Sequence, residues 1–444
     1  MKKLLVVLLS LGLILAFGMT ASAADVKFGG SWYLMGLYEK NQQLSDNDHT
    51  YSRAFFYTRT RIQPVFQVAE GLTFTVRMDA IEKLWGETNW RGGYDDKMSS
   101  RRQGANNLNP KIQESFEFER AYVGFKTAVG VFDIGYQSSG KFGTDFGDDE
   151  QSRARIKLTS PIGPMTLLVM YEKQFETDQS GKAGLTHEVD KDNDVYYLAG
   201  IYNFKGGSAG LMVQYNMLNA RNIPPAGYKT KTFTVTPYVK ATFGPVYVEG
   251  EFIYMGGKAK EYEVETAANQ NQDKQGYGAY VKAKANFGPA YAGASILYSS
   301  GDDGSDKTKD KNGPVSTDLD FGLILGNDAL QTWTASSGNG GKYAAFDSGK
   351  QNAFMLNAFG GFNPTPKMNV EAMVVYGKRD KVAAGYDKDL GYEFDLKASY
   401  KLYDNLTYMV GAGYLVAGDY FKGASSANQI DNDYLLMNRL SLSF

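Results

Sequence analysis

The segment Tyr392-Glu-Phe394-Asp-Leu396-Lys-Ala398-Ser-Tyr400-Lys-Leu402 alternates without a break. Tyr, Phe, Leu, Ala, Tyr and Leu take one face, and Glu393, Asp395, Lys397, Ser399 and Lys401 take the other. Successive side chains of a β-strand point to opposite faces, so this is a strand with one greasy and one wet surface. The same two-residue period runs through 233–243, 246–254, 277–287, 368–376 and 434–444. Helical spacing is rare by comparison. A soluble sandwich also alternates, so the connections have to decide between architectures.

Short turns are expected at 69–71, 128–130, 161–164, 205–208, 244–245, 288–289, 363–366 and 403–405. Long polar connections fall at 40–50, 86–113, 138–151, 176–194, 219–229, 258–275, 300–350, 379–389 and 419–433. Eight short and nine long connections require 18 strands, and their strict alternation puts every short turn at one end and every long loop at the other. That is the plan of an all-β transmembrane antiparallel up-and-down barrel, with short periplasmic turns and long extracellular loops. Ten of the 12 prolines fall in turns or loops; Pro64 and Pro237 fall inside strands and are expected at bulges or strand ends. Tyr and Phe recur toward strand ends at Tyr254, Tyr277, Phe287, Tyr298, Phe362, Tyr376, Tyr408 and Tyr414, where aromatic girdles meet the membrane–water boundary.

Composition narrows the function. The chain has 444 residues, 43% hydrophobic and 22% charged, with 50 Gly, 31 Tyr, 26 Phe, two His and no Cys. The absence of Cys excludes thiolate-bound zinc, iron–sulfur and thiol chemistry. A net charge of −2 argues against a nucleic-acid partner. Lys2 and Lys3, an apolar run over 4–17 and the close Ala21-Ser22-Ala23 have the layout of a cleaved export signal, so residues 1–23 are expected to be removed, leaving 24–444 as a single barrel domain. His49 and His187 both lie in loops, which leaves a strand-borne Ser–His arrangement nothing to build on; no enzyme activity and no cofactor are expected. Asp302, Asp303, Asp306 and Asp310 lack the spacing of an EF-hand and read as a solvated loop, so no metal is expected.

Residues opposite the greasy faces point into the lumen. Arg59, Arg61, Arg77, Asp79, Arg120, Arg153, Arg155 and Lys157 form a basic arc on one wall, and Glu249, Glu251, Glu371, Glu393, Asp395 and Lys397 stand on the far wall. Val281 is placed outward and Tyr280 inward, so a lysine at Tyr280 is expected to cost far less than one at Val281.

The last strand, ending Leu440-Ser-Leu442-Ser-Phe444 with Tyr434 ten residues before the terminal Phe, resembles that of Gram-negative outer-membrane proteins. In that superfamily it is the tag for the barrel-assembly machinery. Residues 120–126 and 130–137 resemble the fourth and fifth strands of general diffusion porins, in which the next loop folds into the barrel and its carboxylates face a ladder of arginines. The resemblance implies an acidic role for Asp145, Asp148, Asp149 and Glu150, and a basic one for Arg59, Arg61, Arg77, Arg120, Arg153 and Arg155. General porins have 16 strands, the alternative count; 18 resembles substrate-specific channels and alginate-export barrels. The implied function is an outer-membrane porin for passive diffusion of small hydrophilic solutes and ions. Its implied partners are outer-membrane lipid and lipopolysaccharide, with a homotrimer as a family expectation. The alternative is a plugged structural or adhesive barrel acting through its outer loops, for which residues 300–350, with Leu323-Ile324-Leu325 inside them, are the candidate plug.

Overall fold

The computed structural model describes residues 25–41, 44, 52–85, 116–148, 151–176, 192–219, 227–314, 318–327 and 351–444. The expected export segment 1–23, His49, His187, Asp149 and Glu150 lie outside them. In chain order the strands are β1 (Asp25–Lys40), β2 (Ser52–Ala69), β3 (Leu72–Leu84), β4 (Glu117–Thr127), β5 (Gly130–Gln137), β6 (Arg153–Ile162), β7 (Met165–Phe175), β8 (Asn193–Phe204) and β9 (Gly207–Leu218). They continue as β10 (Tyr228–Phe243), β11 (Val246–Tyr262), β12 (Gln272–Phe287), β13 (Ala290–Ser299), β14 (Lys309–Asp310), β15 (Ala353–Thr365), β16 (Met368–Arg379), β17 (Asp389–Tyr403), β18 (Leu406–Ala417) and β19 (Asp433–Ser443).

Each stave pairs antiparallel with the next in sequence, and β1 pairs with β19 over Ser31–Lys40, closing the sheet. The two-residue β14 is not a stave: it lies in the loop after β13 and pairs in parallel with Asp273 and Lys274 of β12, while β13 pairs directly with β15. The result is a closed up-and-down barrel of 18 staves, not 16. All eight short connections are two residues long, from 70–71 to 404–405. At 244–245 and 288–289 the first turn residue is Gly with φ of 57° and 63°, as hairpins need when their twist must match that of the strands.

The two faces are cleanly separated. Phe394 and Leu396 are half exposed on the outside, whereas Glu393 and Asp395, which alternate with them, are buried inside. Aromatic rings line the outer rim: Tyr376 and Tyr392 lie 4.8 Å apart, Tyr277 and Tyr298 5.6 Å. Pro64 and Pro237 sit neither at strand ends nor at bulges. Pairing of Pro64 with β1 and of Pro237 with β9 continues, and the ladder to the other neighbour lapses at Gln63–Pro64 and at Thr236–Pro237 with no change of register. A proline inside a stave removes one donor, and the intact ladder on its other side keeps the strand in place.

Bulges matter more than prolines for the interior. β2 and β3 shift register between Thr60 and Arg61, so that Ala80 is skipped; β3 and β4 shift between Arg77 and Met78, skipping Glu119. Each extra residue reverses the in–out parity beyond it. Asp79 and Glu82, three apart in sequence, therefore both face inward.

Candidate channel lining

The first arginine cluster is held by the carboxylates those bulges turn inward. Arg61 donates from Nε and Nη2 to the two Asp79 oxygens, both at 2.7 Å, a bidentate pair. Arg59 is paired with Glu82, and its Nε lies 3.8 Å from Asp79. Arg77 stands opposite Arg120 in the β3–β4 ladder and 3.8 Å from Glu119. Arg439 on β19, which the pattern of basic residues did not single out, joins this cluster from across the barrel seam: its guanidinium lies 4.5 Å over the ring of Tyr33, with Arg59 5.9 Å from the same ring. Its signal was present, as the lone basic residue on an inward position of the last strand.

A second group lines a cavity of about 400 Å³ between the loop after β5 and the wall made by β6 to β9. Lys141, Asp148 and Gln151 line it from the loop, and Arg153, Arg155, Lys157, Glu172, Gln174, Tyr197 and Gln214 from the wall. Arg155 and Glu172 form a buried pair at 2.6–2.7 Å, and Arg155 donates further to the carbonyls of Gln137 and Gln151. Lys157 lies 3.4 Å from Asp133. Arg153 donates to Oε1 of Gln151 at 2.5 Å and has no carboxylate partner among the described residues.

The loop after β5 does turn into the barrel. Phe146, fully buried, stacks on Tyr280 of β12 at 6.0 Å, and Phe142 meets Tyr238 of β10 edge to face at 5.0 Å. Thr144 N–H donates to Oε2 of Glu251 at 2.5 Å. The backbone can come this close because Gly143 and Gly147 flank the contact: a Cβ on Gly143 would lie 2.5 Å from Glu251 Oε2, and one on Gly147 would overlap Oε1. Gly147→Ala is therefore expected to push the turn off the β11 wall and narrow the adjoining cavity. The check is single-channel conductance, which should fall relative to the parent; an unchanged value would mean that the turn does not border the conducting path.

Far-wall carboxylates hold a second inward turn. Residues 318–327, in the loop after β13, place Leu319, Phe321, Leu323, Ile324 and Leu325 in an apolar cluster with Met35, Leu37, Tyr57, Met355, Val375, Leu415, Leu435 and Met437 from the staves. Leu323 N–H donates to Asp395 at 3.0 Å, and Ile324 and Leu325 N–H donate to the two oxygens of Glu393 at 2.6 and 2.7 Å. Phe321 N–H donates to the Gly326 carbonyl at 3.1 Å, closing a turn in which Gly326 has φ of 69°.

The structure thus brings Asp148, Arg153 and Arg155 together around one cavity, and places Arg59, Arg61, Arg77 and Arg120 in a separate cluster on β2 to β4. Asp145 pairs with Lys141 of its own loop. Glu251, Glu393 and Asp395 meet backbone amides of the inward turns. Tyr280 lies under Phe146 and is 2% exposed, so it does not face open water as expected. In the outer loop the hydroxyls of Ser305 and Thr308, and after them their backbone N–H groups, donate to Asp303 and Asp306 and hold both carboxyls below their usual range.

No protein-family model and no curated protein sequence matches the chain. Among solved structures it is similar to three proteins of Pseudomonas aeruginosa. OccK9 (OpdG) is 13% identical with a TM-score of 0.53, covering 94% of this chain and 99% of that one. OpdQ is 12% identical with a TM-score of 0.52, covering 95% and 97%. OpdK with vanillate is 11% identical with a TM-score of 0.51, covering 94% and 99%. The chain therefore shares the fold of these three proteins.

Proposed function

We propose that the chain is an outer-membrane porin, and that small hydrophilic solutes and ions diffuse passively through the passage between the 138–148 turn and the β6–β9 wall. The observation that carries this reading is the lining of the 400 Å³ cavity: charged groups of both signs with the amides of Gln151, Gln174 and Gln214 between them. Such groups can replace a solute's hydration shell in steps, which is what permeation through a narrow polar passage demands. Lipid and lipopolysaccharide would contact the outer face, and no step requires catalysis or a cofactor.

Reconstitution in planar bilayers tests the reading. Stepwise conductance is expected, and its absence would favour a plugged structural or adhesive barrel, which the inward 318–327 turn would suit. Arg153→Gln with Lys157→Gln makes the passage less positive and should shift the reversal potential in a salt gradient toward cations. Asp148→Asn should shift it toward anions. Both shifts should shrink between 0.1 M and 1 M salt, because the Debye length falls from about 10 Å to about 3 Å. Salt-independent reversal potentials in all three proteins would place the selectivity elsewhere.

A further inference from the structure

Glu393 is completely buried, and its neighbour Asp395 nearly so, on the inward face of β17. Both carboxylates are directed at the backbone of the 318–327 turn rather than at a cation: the nearest lysine on their strand, Lys397, pairs with Glu371 at 2.9 Å. The turn is shaped to receive them. A Cβ on Gly322 would lie 2.6 Å from Glu393 Oε2, and β18 offers Gly411 and Gly413, whose Cβ positions lie 3.2 Å from Leu323 Cδ1 and 3.3 Å from Ile324 Cδ1. Asn357 on β15 donates to the Phe321 carbonyl at 3.0 Å and fixes the other end. Three amides, two acids and a row of glycines thus converge on one short segment inside the barrel.

We propose that Glu393 and Asp395 are positioning residues that latch residues 321–326 as an internal plug over the β15–β19, β1 and β2 side of the lumen, and that releasing the latch opens a second route beside the β6–β9 passage. The proposal rests on the channel reading above. Its physical basis is the cost of the alternative: without acceptors, three amides would be left unsatisfied in an apolar pocket, so the turn moves toward water instead of staying.

Two experiments test it. In Glu393→Ala/Asp395→Ala the single-channel conductance should rise roughly twofold or more while reversal potential moves little, since the added route widens the bore without adding fixed charge to the first passage. A fall or no change in conductance overturns the proposal. The second readout does not depend on conduction. The chain has no Cys, so Ile324→Cys supplies its only thiol. A polar maleimide should leave that thiol unmodified in the folded parent and label it in the latch variant; equal labelling in both overturns the proposal. A disulfide between Ile324→Cys and Gly413→Cys, which face each other, should keep the parent conductance when oxidised even in the latch variant and lose that restraint when reduced. If the double-alanine barrel does not fold, the conservative Glu393→Gln/Asp395→Asn pair replaces it: each amide retains one acceptor oxygen, so partial labelling is expected and none overturns the proposal. A parent that conducts with a latch variant that matches it sinks the plug alone; a parent that never conducts sinks the channel reading, whatever the thiol shows.

Discussion

Exchanging Arg155 for methionine is expected to destabilise the barrel by about 3–5 kcal/mol, the cost of leaving a buried charge without its partner. Both side chains of the Arg155–Glu172 pair are almost inaccessible, and the contact lies at 2.6–2.7 Å. Glu172→Met should be similarly costly, because it strands the guanidinium, although the carbonyls of Gln137 and Gln151 continue to accept from it. The double methionine variant should be less destabilised than the sum of the two, since replacing a buried pair with apolar groups of like size is often near neutral. Reversible urea unfolding in lipid vesicles measures all three. Additive losses would show that the two charges act independently and that water reaches both.

The second large effect concerns the lipid face. Val281 is exposed on the outside near the middle of β12, and a lysine there should cost about 2–4 kcal/mol. Gln214, which lines the cavity, should accept lysine at a far smaller cost, because its side chain already stands in a polar space. Tyr280 does not serve as the permissive site that its parity alone suggests: stacked under Phe146, it would lose a buried aromatic contact and trap a charge against the turn. Equal penalties at Val281 and Gln214 would mean that the faces of the barrel had been assigned the wrong way round.

These contrasts show what a one-dimensional reading carries. Alternation in 392–402 and the eight short turns are local properties, so strand faces and stave number could be anticipated from them, while the inward turning of the 138–148 loop was implied only by the resemblance of residues 120–137 to general porins. Arg59, Arg61, Arg120, Arg153 and Arg155 were likewise placed inward on parity. Their partners were another matter. Glu82 reaches Arg59 only because a register shift at Ala80 reverses parity, and no residue in the sequence announces a bulge. Glu393 and Asp395 read as pore charges because nothing local reveals that amides 68 to 72 residues upstream come to meet them. Parity predicts which way a side chain points; it carries no information about what stands opposite.

The seam between β1 and β19 has a kinetic consequence. Ser31 pairs with Ser443, and Gly30 and Phe444 exchange backbone bonds at 2.8 and 3.1 Å, so the first and last staves are neighbours across nearly the whole length of the chain. Contacts of such sequence separation form last and slowly, since the loop they close runs from residue 31 to residue 443. Until the final strand docks, the growing sheet keeps two unpaired edges, each a template for pairing with another chain. Losing β19 alone would leave the remaining staves with free edges and no partner of their own, so a truncated chain should aggregate or stall rather than settle as a smaller barrel.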